Sequence, residues 1–371
     1  MSATRRRIGL TILLAAVAST AAAAEPASGE ALAKQVREVL DKYHVPGASV
    51  AVFRNFRIEW ARGYGLANVD TGQAVAPGTL FQAASISKPV AAVAAMRLVQ
   101  AGKLDLDRNV NEYLTTWKLP ENDLTRATPV TLRRILSHTA GLTVHGFGGY
   151  EAGVPIPSVV QVLNGVAPAN SEAVRVTVPP DTRFEYSGGG YTILQQLLVD
   201  VTHTPFPELM RREVLDPAGM RASTYEQPLP RPRLGAASAG HEKGKVIASQ
   251  RHVYPEMAAA GLSTTASDLA RLAIAVQRAR LGQATRLLSR ENALLMTTPV
   301  PIPEAFGLGF ENFPPKEKDQ PYFGHTGGNA GYRTWLLASK EGGHGVVVLT
   351  NGDEWKAVKE IADKVREAYG F

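Results

Sequence analysis

Strand-forming sequence occurs at both ends of this chain and is scarce between residues 86 and 305. Near the start, residues 28–44 place Leu32, Val36, Val39, Leu40 and Tyr43 on one helical face, with Ser28 as a candidate cap. The apolar run Ala48 to Phe53, the Arg54-Asn55 break and the alternation of Arg57, Ile58, Glu59 and Trp60 then predict a hairpin. Strand texture returns near Phe306 in "FGLGF", "YRTWLLAS" and "HGVVVLTN". A closing helix carries Trp355, Val358, Ile361, Val365 and Tyr369 on one face. The middle reads as helices: "AAVAAMRLVQAG", "TLRRILSHTAG", "TILQQLLVDVT", "SDLARLAIAVQRAR" and "SRENALLMTT".

Both ends therefore supply one sheet, and the expected class is α/β (α+β). An antiparallel sheet flanked by terminal helices, from residues 25–80 and 300–371, carries an inserted all-helical part at 81–299. No proline-rich or serine-rich linker and no internal repeat separates these parts in the 371 residues, so one catalytic body is expected. A cleft between sheet and helical cap is a favoured place for a ligand.

Residues 1–24 carry Arg5, Arg6 and Arg7, an apolar stretch from Ile8 to Ala18 and small residues at Ala21 to Ala24, the pattern of a secretory signal peptide. Ordinary export to the periplasm is the favoured reading, although Thr4-Arg5-Arg6 loosely resembles a twin-arginine signal. Cleavage would remove three arginines and no acid, taking the formal charge from +6 to +3. The remaining basic residues are scattered, which argues against nucleic acid or anionic membrane as partners. The apolar stretch is too short to span a bilayer and no later run is long enough, so no membrane span is expected after cleavage. With no cysteine, disulfides and thiolate metal sites are excluded.

Chemistry-bearing residues fall into three short stretches. "FQAASISKPV" places Ser85 and Lys88 three apart at a helix start, where they share a face. Lysine can take a serine's proton if desolvation lowers its pKa, and a helix start aims backbone N–H groups at a developing oxyanion. Pro89 suits the first turn, where its missing donor costs nothing. Taken alone, the same tetrapeptide also reads as a serine cap with an exposed lysine. "EYSGGGYTIL" offers Tyr186, which beside a lysine could exist as, or become, a phenolate and relay a proton. Its glycines lack the spacing of a dinucleotide fingerprint, and no Gly-Lys-Ser or Gly-Lys-Thr occurs, so a phosphate loop is set aside.

"FGHTGGNAGYRTWLLASKEGG" places His325, Thr326, Gly327 and Gly328 before strand-like alternation, where an open edge could pair with a substrate backbone. A similar pair, His138-Thr139 in "SHTAG", ends a helix with Gly141 as terminator, and His138 is expected to be structural. The histidines at 44, 145, 203, 241, 252 and 344 show no metal-ligand spacing, and no G-x-S-x-G is present. Neither metal nor cofactor is expected.

In order, Ser85-Ile-Ser-Lys88, Tyr186-Ser-Gly188 and His325-Thr-Gly327 resemble the three motifs of the serine β-lactamase and penicillin-binding protein superfamily. Their spacing, with "GYGLANVDTG", "LDLDRNVNEYL", "VTLRRILSHTAGL" and "AAAGLSTTASDLAR", is most similar to the branch of class C β-lactamases, D,D-carboxypeptidases, D-aminopeptidases and family VIII carboxylesterases. The resemblance implies a β-lactamase/transpeptidase-like fold and two-step acyl transfer. Ser85 would form the acyl-enzyme, and Lys88 and Tyr186 would handle protons. Backbone N–H groups of Ser85 and Gly328 would form the oxyanion hole, and His325, Thr326, Gly327 and Gly188 would line the substrate.

Two departures stand out. Gly188 fills the slot where this branch usually carries asparagine, and His325 stands where β-lactamases usually carry lysine, which weakens a fixed positive charge. The leading expectation is an exported serine hydrolase of an ester or D-amino-acid peptide, with weak β-lactamase activity at most. One alternative is a class C β-lactamase in which a group from residues 142–183 replaces the missing amide. Another is a non-catalytic penicillin-binding sensor or scaffold. Oligomeric state leaves no signature in the sequence.

Overall fold

The computed structural model describes residues 29–304, 306–315 and 320–371. The leader read in residues 1–24 and the Ser28 cap lie outside the described residues. Among those described, a seven-stranded antiparallel sheet is built from β1 (Gly47–Arg54), β2 (Arg57–Asn68), β3 (Gln73–Ala74), β4 (Glu311–Phe313), β5 (Tyr322–Asn329), β6 (Tyr332–Ser339) and β7 (Gly345–Thr350), in the order β3-β2-β1-β7-β6-β5-β4. The two ends of the chain meet at β1 and β7, in register from Ala48 opposite Thr350 to Phe53 opposite Gly345.

Strand β1 is buried from Gly47 to Phe53 and almost wholly apolar there, because both of its faces are covered. Ala48, Val50 and Val52 face a core shared with Val36, Val39 and Leu40 of α1 (Gly29–Lys42) and with the C-terminal helix Trp355–Tyr369, through Val358, Ile361 and Val365. Ala51 and Phe53 point the other way, into the larger core. That core takes in α2 (Ser87–Gln100), α3 (Leu132–Leu136), α4 (Gly188–Thr202), α5 (Met257–Ala260), α6 (Ala266–Arg280) and α7 (Arg290–Thr297), with the C-terminal helix numbered α8. Helix α6, from the middle of the chain, lies against β1, β2, β6 and β7. The helical part is thus clamped to the sheet, and the candidate residues collect at that junction.

Two local expectations are corrected, and a third stretch is resolved. "FGLGF" is not a strand: Gly309 adopts φ +113°, and a Cβ there would stand 2.5 Å from the Ala92 Cβ, so the segment turns against α2 and the strand begins at Glu311. The glycines of "EYSGGGYTIL" are the first turn of α4, capped by the Ser187 hydroxyl accepting from the Gly190 N–H at 2.9 Å. Trp355 leaves the buried face of α8 and is 44% exposed, packed by Arg333, whose guanidinium lies 5.1 Å from its ring centre.

Candidate active site

Ser85 sits in a single 3₁₀ turn, Ala84–Ile86, that runs directly into α2. Ala84 before it is left-handed (φ +51°), a conformation a non-glycine residue adopts only under tertiary constraint. The constraint comes from β5 and β6: the Thr334 hydroxyl donates to the Ala83 carbonyl at 2.9 Å, and Gly327 packs flush on the turn. A Cβ at Gly327 would lie 2.5 Å from the Ala83 oxygen and 3.1 Å from the Ala84 Cβ. Ser87 is occupied structurally, its hydroxyl donating to the Ala84 carbonyl at 2.6 Å and accepting the Leu262 N–H at 3.0 Å.

Lys88 follows three residues after Ser85, on a helix buried from Ser87 through Met96. Its Nζ donates to Ser85 Oγ at 3.0 Å and to the Ala259 carbonyl at 3.0 Å. Among the described residues no carboxylate pairs with it, and burial pushes its ammonium down to about 7. A neutral amine beside a hydroxyl can take that hydroxyl's proton.

Tyr186 completes the cluster. Its ring lies 4.9 Å from Lys88 Nζ, stacked on His138 at 4.3 Å, and its hydroxyl is close enough to Ser85 for that side chain to act on its ionisation. Burial drives the phenol well above its ordinary value. This corrects the phenolate expectation: at neutral pH Tyr186 is an uncharged O–H, fit to pass a proton but not to stand as an anion.

The third motif lies inside β5 rather than ahead of it. Strand β4 pairs with β5 only from Tyr322 to Gly324, which leaves the edge beyond His325 open. The Thr326 N–H is used by the Glu311 side chain, whose carboxyl burial raises to about 7. Residues two apart face the same way along a strand, so the exposed Gly328 directs its N–H to that same edge. His325 is 2% exposed and turned inward, 6.2 Å from the Tyr186 ring centre. Its Nδ1 contacts the Thr326 carbonyl, and its buried Nε2 has no partner. Burial, with the Lys88 charge, lowers it to about 3, so the ring is neutral and supplies no cation.

Gly188, expected along the substrate, is covered by a loop. Its N–H donates to the His145 carbonyl at 3.0 Å, and a Cβ there would stand 3.0 Å from Phe147 Cε2 and 3.2 Å from the His145 oxygen. The place of the usual carboxamide is filled by a loop that also brings the exposed His145 ring to 4.8 Å from Tyr186. Tyr254 ties this loop down, its hydroxyl donating to the Gly148 carbonyl at 3.3 Å and accepting the Ala330 N–H at 3.2 Å.

Ser85, Lys88, Tyr186 and His325 are thus brought together, with Thr326, Gly327 and Gly328 along the adjoining edge. Sequence reasoning missed Phe147, Phe306, Glu311 and the Ala259 carbonyl. Phe306 packs edge-on against both His138 and His325. Only the "SHTAG" string signals His138, as a helix end, and His138 does close α3: the helix runs to Leu136, and His138 rather than Gly141 takes the left-handed closing place (φ +59°).

A comparison with known proteins fits this geometry. Over 345 residues the chain is 27% identical to penicillin-binding protein 4 of Amycolatopsis lactamdurans, covering 89% of this chain and 86% of that protein. Its fold is similar to the octameric penicillin-binding protein homologue from Pyrococcus abyssi (TM-score 0.76, 22% identity, 92% of this chain and 77% of that one). It is also similar to the D-alanine carboxypeptidase AmpC from Burkholderia cenocepacia (TM-score 0.72, 20% identity, 91% and 98%). At these identities the two structures speak to fold alone. The family model described as Beta-lactamase matches residues 32–370, and the chain belongs to that family, whose members are typically serine hydrolases.

Proposed function

We propose that this protein is an exported serine acyl-hydrolase that cleaves an ester or a D-amino-acid peptide through a Ser85 acyl-enzyme. The observation that carries the reading is the 3.0 Å contact between Ser85 Oγ and a buried, unpaired Lys88 whose ammonium is lowered to about 7. Ser85 Oγ attacks the carbonyl carbon as its proton passes to the Lys88 amine, and the tetrahedral oxyanion rests on the N–H groups of Ser85 and Gly328. Collapse breaks the bond to the leaving group, which takes the proton back from Lys88 through the Tyr186 hydroxyl. Water then adds to the acyl-enzyme, yielding its proton along the same path, and the acid departs as Ser85 regains its hydrogen.

Preference for esters or D-peptides over β-lactams is supported by the neutral His325 and the filled slot at Gly188. The curated relative is called a penicillin-binding protein, and a neighbour a D-alanine carboxypeptidase, which suits acylation by a peptide-like carbonyl. Export rests on residues 1–24. The test is a substrate panel of short p-nitrophenyl esters, D-Ala-D-Ala peptides and a chromogenic cephalosporin, with Ser85→Ala as blank. Ester or peptide turnover that vanishes in Ser85→Ala is expected. Cephalosporin hydrolysis as the dominant activity would overturn the specificity, and unlabelled Ser85 after fluorophosphonate treatment would overturn the mechanism.

A further inference from the structure

His138 lies outside the three motifs, yet it touches each residue of the segment that carries Tyr186. Its carbonyl accepts the Glu185 N–H at 2.8 Å, its Nδ1 accepts the Ser187 N–H at 3.1 Å, and its ring stacks on Tyr186 between them at 4.3 Å and 28°. Because Nδ1 accepts, the ring proton sits on Nε2, which is buried and without a partner. The residue is 2% exposed, and it is left-handed because it closes α3, its N–H donating to the Ile135 carbonyl at 3.2 Å and the Thr139 N–H to the Arg134 carbonyl at 2.9 Å. Phe306 meets the imidazole edge-on at 5.3 Å, and Tyr191 lies tilted against it at 5.3 Å.

The alternatives for such a histidine are weaker. It is too far embedded to meet substrate, and with Nδ1 occupied and burial holding it neutral it has no free base to offer. What it does control is the angle of one ring. Two backbone hydrogen bonds fix where residues 185 and 187 sit, and the stacked face fixes how the phenol is turned toward Ser85.

We propose that His138 is a positioning residue for Tyr186, gripping the backbone on either side of it and the face of its ring so that its hydroxyl meets Ser85. The inference rests on the reading of Ser85 as the acylated residue and Tyr186 as its proton relay. A group displaced by about 1 Å can cost around 10²-fold in rate, so the effect should appear in the acylation step and not in binding.

The test is a double-mutant cycle of His138→Asn with Tyr186→Phe, reading the rate of Ser85 labelling by a fluorophosphonate per titratable site, with thermal melts in parallel. Asparagine keeps an acceptor and tolerates the left-handed backbone but removes the stacked ring. His138→Asn should lower the limiting labelling rate about 10- to 100-fold, with little change in the half-saturating reagent concentration. In the Tyr186→Phe background the same change should have almost no further effect. Equal losses in both backgrounds, or a loss that tracks only the melting temperature, would overturn the proposal in favour of a structural role. If His138→Asn does not fold, His138→Phe, which keeps a ring without the acceptor, enters the same cycle. Failure of both to fold overturns it likewise. An unlabelled wild-type Ser85 removes the acyl-enzyme reading and this one with it, whereas a labelled wild type with an additive cycle removes this one alone.

Discussion

Lys88 Nζ stands 3.0 Å from Ser85 Oγ and 3.0 Å from the Ala259 carbonyl, so two donors of one buried ammonium are fixed by a hydroxyl three residues away and by a backbone oxygen from a distant helix. Neither partner is anionic, and desolvation therefore wins over any stabilisation of the charge. Lys88→Met should lower ester or peptide turnover about 10²- to 10⁴-fold, the usual reach of a positioned general base. Ser85 should remain in place, which near-identical circular dichroism would check.

The same group sets the pH dependence. Its neutral form is the base, so kcat/KM should rise with pH through about 7 and fall about tenfold per unit on the acid side. Because burial raises the Tyr186 phenol well above its ordinary value, no alkaline limb from that residue should appear below pH 10. A profile with its rising limb near the ordinary lysine value would refute this assignment.

Stability carries its own signature of the same burial. Lys88 titrates lower in the folded chain than in the unfolded one, so between about 7 and the ordinary value the unfolded state binds more protons and wild-type stability rises with pH. Below pH 7 the ammonium is charged in both states and its burial cost is fully present. Lys88→Met should therefore melt higher than wild type at pH 6, with the gap narrowing by pH 9; scanning calorimetry at both values decides it.

Gly327→Ala tests the seam between β5 and the Ser85 turn. The added methyl meets the Ala83 oxygen at 2.5 Å, a backbone atom that cannot step aside without moving the turn. A loss of about 1–3 kcal/mol in urea unfolding is expected, together with a fall in turnover of 10²-fold or so. Stability loss with turnover intact would mean that the seam does not hold Ser85.

Asparagine at position 188 was the natural change to restore amide recognition on sequence grounds. Its Cβ would lie 3.0 Å from Phe147 Cε2, so Gly188→Asn by itself should destabilise the chain and gain nothing on peptide amides. Combined with Phe147→Ala, it should shift the amide-to-ester ratio about fivefold, the worth of one hydrogen bond near 1 kcal/mol. A gain from the single substitution would show that the loop yields freely.

Much of the architecture was written locally. The apolar run of β1 and the stripes of α1 and α8 are short-range patterns whose period names the element. Ser85 and Lys88 were legible together because a spacing of three at a helix start puts two side chains on one face; the 3.0 Å contact itself depends on the packing that holds the Ser85 turn. The three motifs in order, with the stretches between them, were enough to name the superfamily they resemble.

Charge state and orientation were not local. Lys88 titrates near 7, His325 near 3 and Tyr186 well above its ordinary value because α2, β5 and the start of α4, far apart in sequence, shut water out of one volume. Gly188 reads as an absent side chain until Phe147, brought by a loop, is seen to occupy its place. His138 is legible as a helix end, but its three contacts to residues 185–187 cross about fifty positions of chain and leave no local mark. Propensity and periodicity depend on neighbours within a turn or a pleat; desolvation and stacking depend on whatever the completed fold brings within a few ångströms, and in this protein those contacts set the chemistry of the site.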